Sequence, residues 1–209
     1  MRARFIVSLL VWVFLAVSST PAFAGPTVRI TIFGDDLTSG YGISNPDDKL
    51  QAILSAKLKK DALNATVTNL SLDGETTSTA LKRLPQIAAN PTEILILALG
   101  NNDALRQTDP EIIRNNLDQI LTQMEGRSYT LFTGARARPG SGTEYALHFN
   151  NVFPELSEHH KVIFYPFLLE GIAGKTEYFQ RDGVHPNEEG VQEMADKLYP
   201  VMVQMVRKY

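Results

Sequence analysis

Three short stretches hold side chains that could do chemistry together: Gly34-Asp35-Asp36-Leu37-Thr38-Ser39-Gly40, Gly100-Asn101-Asn102-Asp103 and Asp182-Gly183-Val184-His185-Pro186-Asn187. In the last, the Asp-x-x-His spacing brings a carboxylate within reach of an imidazole from one turn. The acid can then orient the ring and stabilise its cation. Alone, that spacing is more simply a surface turn with a helix cap. The first stretch is less ordinary: it sets two carboxylates, Asp35 and Asp36, side by side where a β-branched run stops at a glycine. Catalytic groups of many α/β enzymes sit at such strand-to-helix turns.

The elements that must position these residues alternate. Residues 27–33, 65–70, 93–99, 129–134 and 161–167 are short, rich in β-branched or aromatic side chains, and bounded by turn residues, as strands are. Between and after them, residues 47–60, 77–89, 110–124, 144–158 and 187–208 have helical patterning. Thr108 or Asp109 before Pro110, and Asn187 before Glu188 and Glu189, are start signals. Pro85 and Pro154 are expected to kink or split their helices. Regular alternation predicts one α/β domain with three layers and a five-stranded parallel sheet, flavodoxin-like in order. Residues 93–99 are apolar almost throughout, as a central strand covered on both faces requires. All three stretches then fall at strand ends or beside the last helix, which overturns the bland reading of Asp-x-x-His.

Residues 1–24 read as a secretory signal. Arg2 and Arg4 precede an apolar run over 5–17, and Ala22-Phe23-Ala24 has the A-x-A form of a cleavage site. The domain is therefore expected over residues 25–209, periplasmic or secreted, with no stable membrane insertion after cleavage. Removing the segment's two arginines leaves 18 Lys and Arg against 23 Asp and Glu, a net charge of −5. An acidic chain without a basic run is a poor partner for nucleic acid. With no cysteine there is no disulfide and no thiolate metal site.

These residues resemble the SGNH or GDSL hydrolases, and within them the periplasmic thioesterase/lysophospholipase and arylesterase group. Four blocks carry the resemblance in order: "GDDLTSGYG" (34–42), "NLSLDGET" (69–76), "LALGNNDALR" (97–106) and "DGVHPNEEG" (182–190). The resemblance implies hydrolysis of a small-molecule ester, thioester or lysophospholipid by a monomer without cofactor or metal. It also implies an oxyanion hole from the Gly74 backbone and the Asn102 side chain, with His185 as base and Asp182 orienting it.

Two positions depart from the pattern. Asn101 stands where the family usually has a second glycine, and Asp36 stands at the place of the nucleophilic serine. A carboxylate attacking an ester carbonyl forms a mixed anhydride and must expel a much poorer leaving group than itself. Loss of a triad nucleophile typically leaves only ~10³–10⁴-fold catalysis over water. Three readings follow: a hydrolase with weak or lost activity, a non-catalytic binder of acyl or ester ligands locked by an Asp36–His185 ion pair, or an enzyme using Asp36 against a saturated carbon. In the last, displacement at an epoxide or haloalkane gives an alkyl ester of Asp36, hydrolysed by His185-activated water. Tyr41 could polarise an epoxide, but after Trp12 leaves with the signal no tryptophan remains to cradle a halide.

Other side chains draw plainer expectations. Thr38 is a helix cap, and Ser39 could approach the site without standing on the elbow that aims a nucleophile. His159 and His160 are adjacent on a helix end, so they point apart in a solvated turn instead of sharing a metal. His148 is structural. Arg136 to Gly140 follow the fourth strand, where they either contact substrate or are surface charge. Asn64-Ala65-Thr66 fits a glycosylation sequon by pattern only.

Overall fold

The computed structural model describes residues 25–209; the expected signal segment, 1–24, lies outside the described residues. Five strands form one parallel sheet: β1 (Val28–Gly34), β2 (Ala65–Asn69), β3 (Ile94–Ala98), β4 (Tyr129–Thr133) and β5 (Val162–Tyr165), in the order β2-β1-β3-β4-β5. This is the expected doubly wound order. The helices are α1 (Asp36–Ser39), α2 (Leu50–Lys60), α3 (Thr77–Ala89), α4 (Asn101–Leu105), α5 (Pro110–Met124), α6 (Thr143–His159) and α7 (Glu188–Val206).

Period-two alternation along β3 divides the core. Ile94 and Ile96 pack with Leu54 of α2 and Met202 of α7, whereas Leu95 and Leu97 pack with Leu84, Leu117 and Phe153 of α3, α5 and α6. All four β3 side chains are fully buried. Each such burial is worth about 1.5–3 kcal/mol, so the central strand anchors both layers. β1 follows the same rule, with Ile30 and Ile32 on one face and Phe33 on the other.

Register then places the chemistry. Gly34 pairs with Ala98, so β1 and β3 end abreast and α1 and α4 start side by side. Gly34 permits this closeness: a Cβ there would stand 2.4 Å from Thr38 Oγ1 and 2.5 Å from the Ala98 carbonyl oxygen.

The elements differ from expectation mainly at their ends. The helix expected over 47–60 starts at Leu50, because Pro46–Asp48 make a 3-10 turn in which Asn45 accepts from the Asp47 N–H at 3.2 Å. β5 stops at Tyr165, before Pro166, which has no N–H for a ladder. Pro85 and Pro154 do not split α3 and α6. Pro85 is exposed, so the carbonyl it leaves without an N–H partner can open to water. Asp109 and Asn187 cap α5 and α7 as expected, accepting from Glu111 N–H at 3.0 Å and Gly190 N–H at 2.9 Å.

Candidate active site

The β1–α1 turn is fixed by its own polar atoms. Asp35, not Thr38, is the N-cap of α1, accepting from the Leu37 N–H at 3.1 Å. Thr38 is instead a clasp. Its hydroxyl donates to the Asp35 carbonyl at 3.2 Å and shares a 2.8 Å bond with Ser71, while its own carbonyl accepts from Asn69 Nδ2 at 2.7 Å. The turn after β1 is thereby tied to the loop after β2. Ser39 donates to Asp73 on that loop and makes no hydrogen bond with His185.

That loop delivers Gly74, whose φ of +73° is open to glycine at little cost. Arg83 holds the loop by donating to the Leu70 carbonyl at 2.8 Å and pairing with Glu75, and Arg106 Nη2 donates to the Gly74 carbonyl at 3.2 Å. From the other side, α4 presents Asn102. Asp103 is fully buried and anchors α4 to α3 by accepting from the Thr77 N–H and hydroxyl, both at 2.8 Å. Burial pushes the Asp103 carboxyl up, against these hydrogen bonds and the Arg106 charge.

Asp36 lies between these supports, 6 % exposed. Its Oδ2 accepts from Asn102 Nδ2 at 2.9 Å and from the Gly74 N–H at 3.3 Å, and lies 3.6 Å from His185 Nε2. Its Oδ1 is buried and makes no hydrogen bond. One carboxyl oxygen therefore takes both donors that the resemblance assigns to an oxyanion hole and faces the ring assigned as base. A neutral His185 donating from Nδ1 would set its Nε2 lone pair against that of a carboxylate. The contact is favourable only with a proton between them.

The His185 ring is set by its own turn. Nδ1 lies 2.7 Å from Asp182 Oδ2, while Asp182 Oδ1 accepts from the N–H groups of Val184 at 2.8 Å and His185 at 3.0 Å. Burial pushes the Asp182 carboxyl up, but these three hydrogen bonds outweigh it and bring it down to about 2. Tyr41 packs its ring against His185 at 4.4 Å between centroids. Gln180 joins the two loops, donating from Nε2 to the Tyr41 carbonyl at 2.8 Å and to the Pro186 carbonyl at 2.9 Å.

Asp35 behaves differently from its neighbour. Burial first, then the Asp36 charge, pushes its carboxyl well above the ordinary range, with the N–H groups of Leu37 and Asn101 only partly opposing. Its Oδ2 and the Asn101 side-chain nitrogen, Nδ2, are buried without a hydrogen-bond partner. Both residues line a cavity of about 650 Å³ whose walls also include Leu37, Val184 and, from the loop after β4, Arg136, Ala137, Arg138 and Pro139.

The structure thus brings Asp36, Gly74, Asn102, Asp182 and His185 into one cluster. Sequence reasoning missed Arg106, Arg83 and Gln180, which act on backbone carbonyls and leave no spacing signal, although Arg106 lies within the block that was singled out. It also misjudged His160. That ring is not solvated: its nitrogens each lie 2.9 Å from a carboxylate, Asp118 and Glu125, with the side chain 7 % exposed. His159 points away to the Glu155 carbonyl, and no metal-holding group of three His, Cys, Asp or Glu occurs among the described residues. His148 is exposed on α6 instead of structural.

Residues 32–193 match the model of the GDSL-like lipase/acylhydrolase family, a span that contains all five clustered residues. The chain belongs to this family. It is 32 % identical to an arylesterase of Vibrio mimicus over 77 % of its length and 81 % of the relative's. It is 30 % identical to thioesterase 1/protease 1/lysophospholipase L1 of Escherichia coli strain K12, over 88 % and 87 % of the two chains. Among solved structures, TesA superposes with a TM-score of 0.80 at 25 % identity, covering 85 % of this chain and 99 % of that one. AlinE4, described as an SGNH-hydrolase family esterase, gives 0.71 at 32 % identity over 86 % and 97 %.

Proposed function

We propose that this SGNH-family protein is an exported hydrolase by descent, of the esterase or thioesterase type, whose nucleophile position is held by Asp36 and whose ester-cleaving activity is weak or lost. One observation carries the reading: Asp36 Oδ2 takes the hydrogen bonds of both Gly74 and Asn102 and faces His185. Donors placed for a developing oxyanion are already satisfied, so an ester carbonyl must displace a carboxyl group to use them. The roles proposed are Gly74 and Asn102 as oxyanion donors, His185 as base and Asp182 as its orienting acid. For export, the support is the A-x-A segment; no helix among the described residues is long and apolar enough to cross a membrane.

The same observation favours a second reading, a non-catalytic binder in which the Asp36–His185 contact locks the site closed. A displacement at saturated carbon by Asp36 loses support, because Oδ2 is engaged and Oδ1 is buried away from any incoming substrate. Turnover of p-nitrophenyl acetate and butyrate by the purified protein, beside Asp36→Ser and His185→Ala, tests the first two. A folded Asp36→Ser protein no faster than the parent would favour the binder. Export is tested by the N-terminus of the secreted or periplasmic protein, expected at Gly25.

A further inference from the structure

His185 and Asp36 come from opposite ends of the chain, yet His185 Nε2 lies 3.6 Å from Asp36 Oδ2. Asp182 cannot set that gap. It shares the turn of His185, so it fixes the ring plane and travels with it. The span is bridged by Gln180. Its backbone N–H donates to the His185 carbonyl at 2.8 Å, and its carbonyl accepts from the Gly183 N–H at 2.9 Å. Those two bonds close the His185 turn. Its side-chain Nε2 then donates both hydrogens, to the Pro186 carbonyl at 2.9 Å and to the Tyr41 carbonyl at 2.8 Å. Tyr41 follows α1, the helix that begins with Asp36. One amide thereby ties the turn carrying the base to the segment carrying position 36.

The Tyr41 end is shaped to receive that amide. The Ile43 N–H donates to the Gly40 carbonyl at 3.1 Å, and φ is +73° at Gly42 but not positive at Tyr41. This is a type II turn, which differs from type I by rotation of the one peptide between its central residues, here Tyr41 and Gly42. The Tyr41 carbonyl belongs to that peptide, so the donor it finds selects the turn. Gly42 also leaves the room: a Cβ there would stand 2.2 Å from Gln180 Oε1. The same backbone carries the Tyr41 ring, packed on His185 at 4.4 Å between centroids. That ring is 46 % exposed, so its backbone, not a surrounding core, holds it there.

We propose that Gln180, lying over Gly42, is a positioning residue that sets the distance and ring contact between His185 and the turn bearing Asp36. The inference deepens the proposed function and rests on it for the role of His185 as base. A base misplaced by about 1 Å can lose as much as ~10²-fold in rate.

Proton NMR of the purified protein reads the contact without any turnover. In the parent, cross-peaks between the Tyr41 and His185 ring protons are expected from their packing. Gln180→Glu keeps the shape of the side chain but at neutral pH has no N–H for either carbonyl. It should abolish those cross-peaks and move the His185 ring protons out of the tyrosine ring current. Gly42→Ala, which pushes the amide away from the other side, should do the same. Gln51→Ala removes a comparable bond, from Nε2 to the Val67 carbonyl at 3.0 Å, and should leave both signals in place. On the Asp36→Ser background, Gln180→Glu should lower kcat for p-nitrophenyl butyrate at least ~10-fold and change KM less than ~3-fold. Cross-peaks that survive in Gln180→Glu or in Gly42→Ala overturn the proposal. So does their loss in Gln51→Ala, which would mark general loosening, or a rate loss carried by KM alone. An inactive Asp36→Ser protein would count against the esterase reading and leave the NMR result to decide this one.

Discussion

Asp182 and His185 meet across three residues of one exposed turn, whereas Asp36 meets Gly74 and Asn102 across 38 and 66 residues of chain in the interior. The first pair is made by local chemistry: two loop N–H groups fix the carboxylate, and the carboxylate fixes the ring. The second group exists only because β1 and β3 end abreast and because clasps on Thr38, Arg106 and Asp103 aim the backbone. A local turn can tolerate change in the rest of the protein. A buried constellation cannot, since each donor and acceptor has been taken out of water and must be matched. Asp36 meets this demand with one oxygen: Oδ2 takes both inward donors, while Oδ1 is buried without a hydrogen bond.

The sharpest way to break the comparison is to empty the donors. Asp36→Ser should raise hydrolysis of p-nitrophenyl butyrate by at least ~10²-fold over the parent, because Gly74, Asn102, His185 and Asp182 are already in place around the elbow. On that background Asn102→Ala should return the rate close to the parent's, one oxyanion donor being worth ~10²–10³ in kcat. A serine variant indifferent to Asn102 would mean that the two donors serve Asp36 alone.

Stability gives the next contrast. In the parent, Asn102→Ala leaves a buried carboxyl oxygen with only the longer Gly74 bond, and should cost about 1–3 kcal/mol in urea unfolding. Asp182→Ala, whose side chain is 41 % exposed, should cost less than about 1 kcal/mol. Equal costs would contradict the division into an interior and a surface half.

The division also explains what could be read from sequence. Asp182 and His185 were legible from their spacing, and β3 from its apolar run. Asp36 was legible by the block it interrupts. What its carboxyl group does was not, since that depends on Asn102 across the β1–β3 register and on the φ of Gly74. Arg83, Arg106 and Gln180 stayed hidden because each bonds a carbonyl brought near by tertiary folding. The errors have the same origin. Thr38 was read as a cap from its place near a helix start, but Asp35 holds the cap and Ser71 claims the threonine hydroxyl. His160 was read from its place beside His159 on a helix end, whereas its partners Asp118 and Glu125 come from 42 and 35 residues away.

The smallest expected effect concerns Asp35, the first of the two adjacent aspartates at the end of β1. Asp35 is buried with a raised carboxyl pKa, so its folded state holds a proton that the unfolded chain has lost above its ordinary value near ~3.9. Between that value and the higher folded one the native state binds more protons, and stability falls as pH rises. Asp182 has the opposite sign: lowered to about 2, it adds stability that is present above ~3.9 and is lost as pH falls toward 2. Asp35→Asn keeps an oxygen for the Leu37 N–H and removes the titration. It should leave stability at acid pH within about 1 kcal/mol of the parent and flatten the decline on raising the pH to neutral. Urea midpoints measured across that range for parent and variant decide the matter. Parallel profiles would show that Asp35 carries the same charge folded and unfolded, and that the carboxyl group beneath the cavity is an anion.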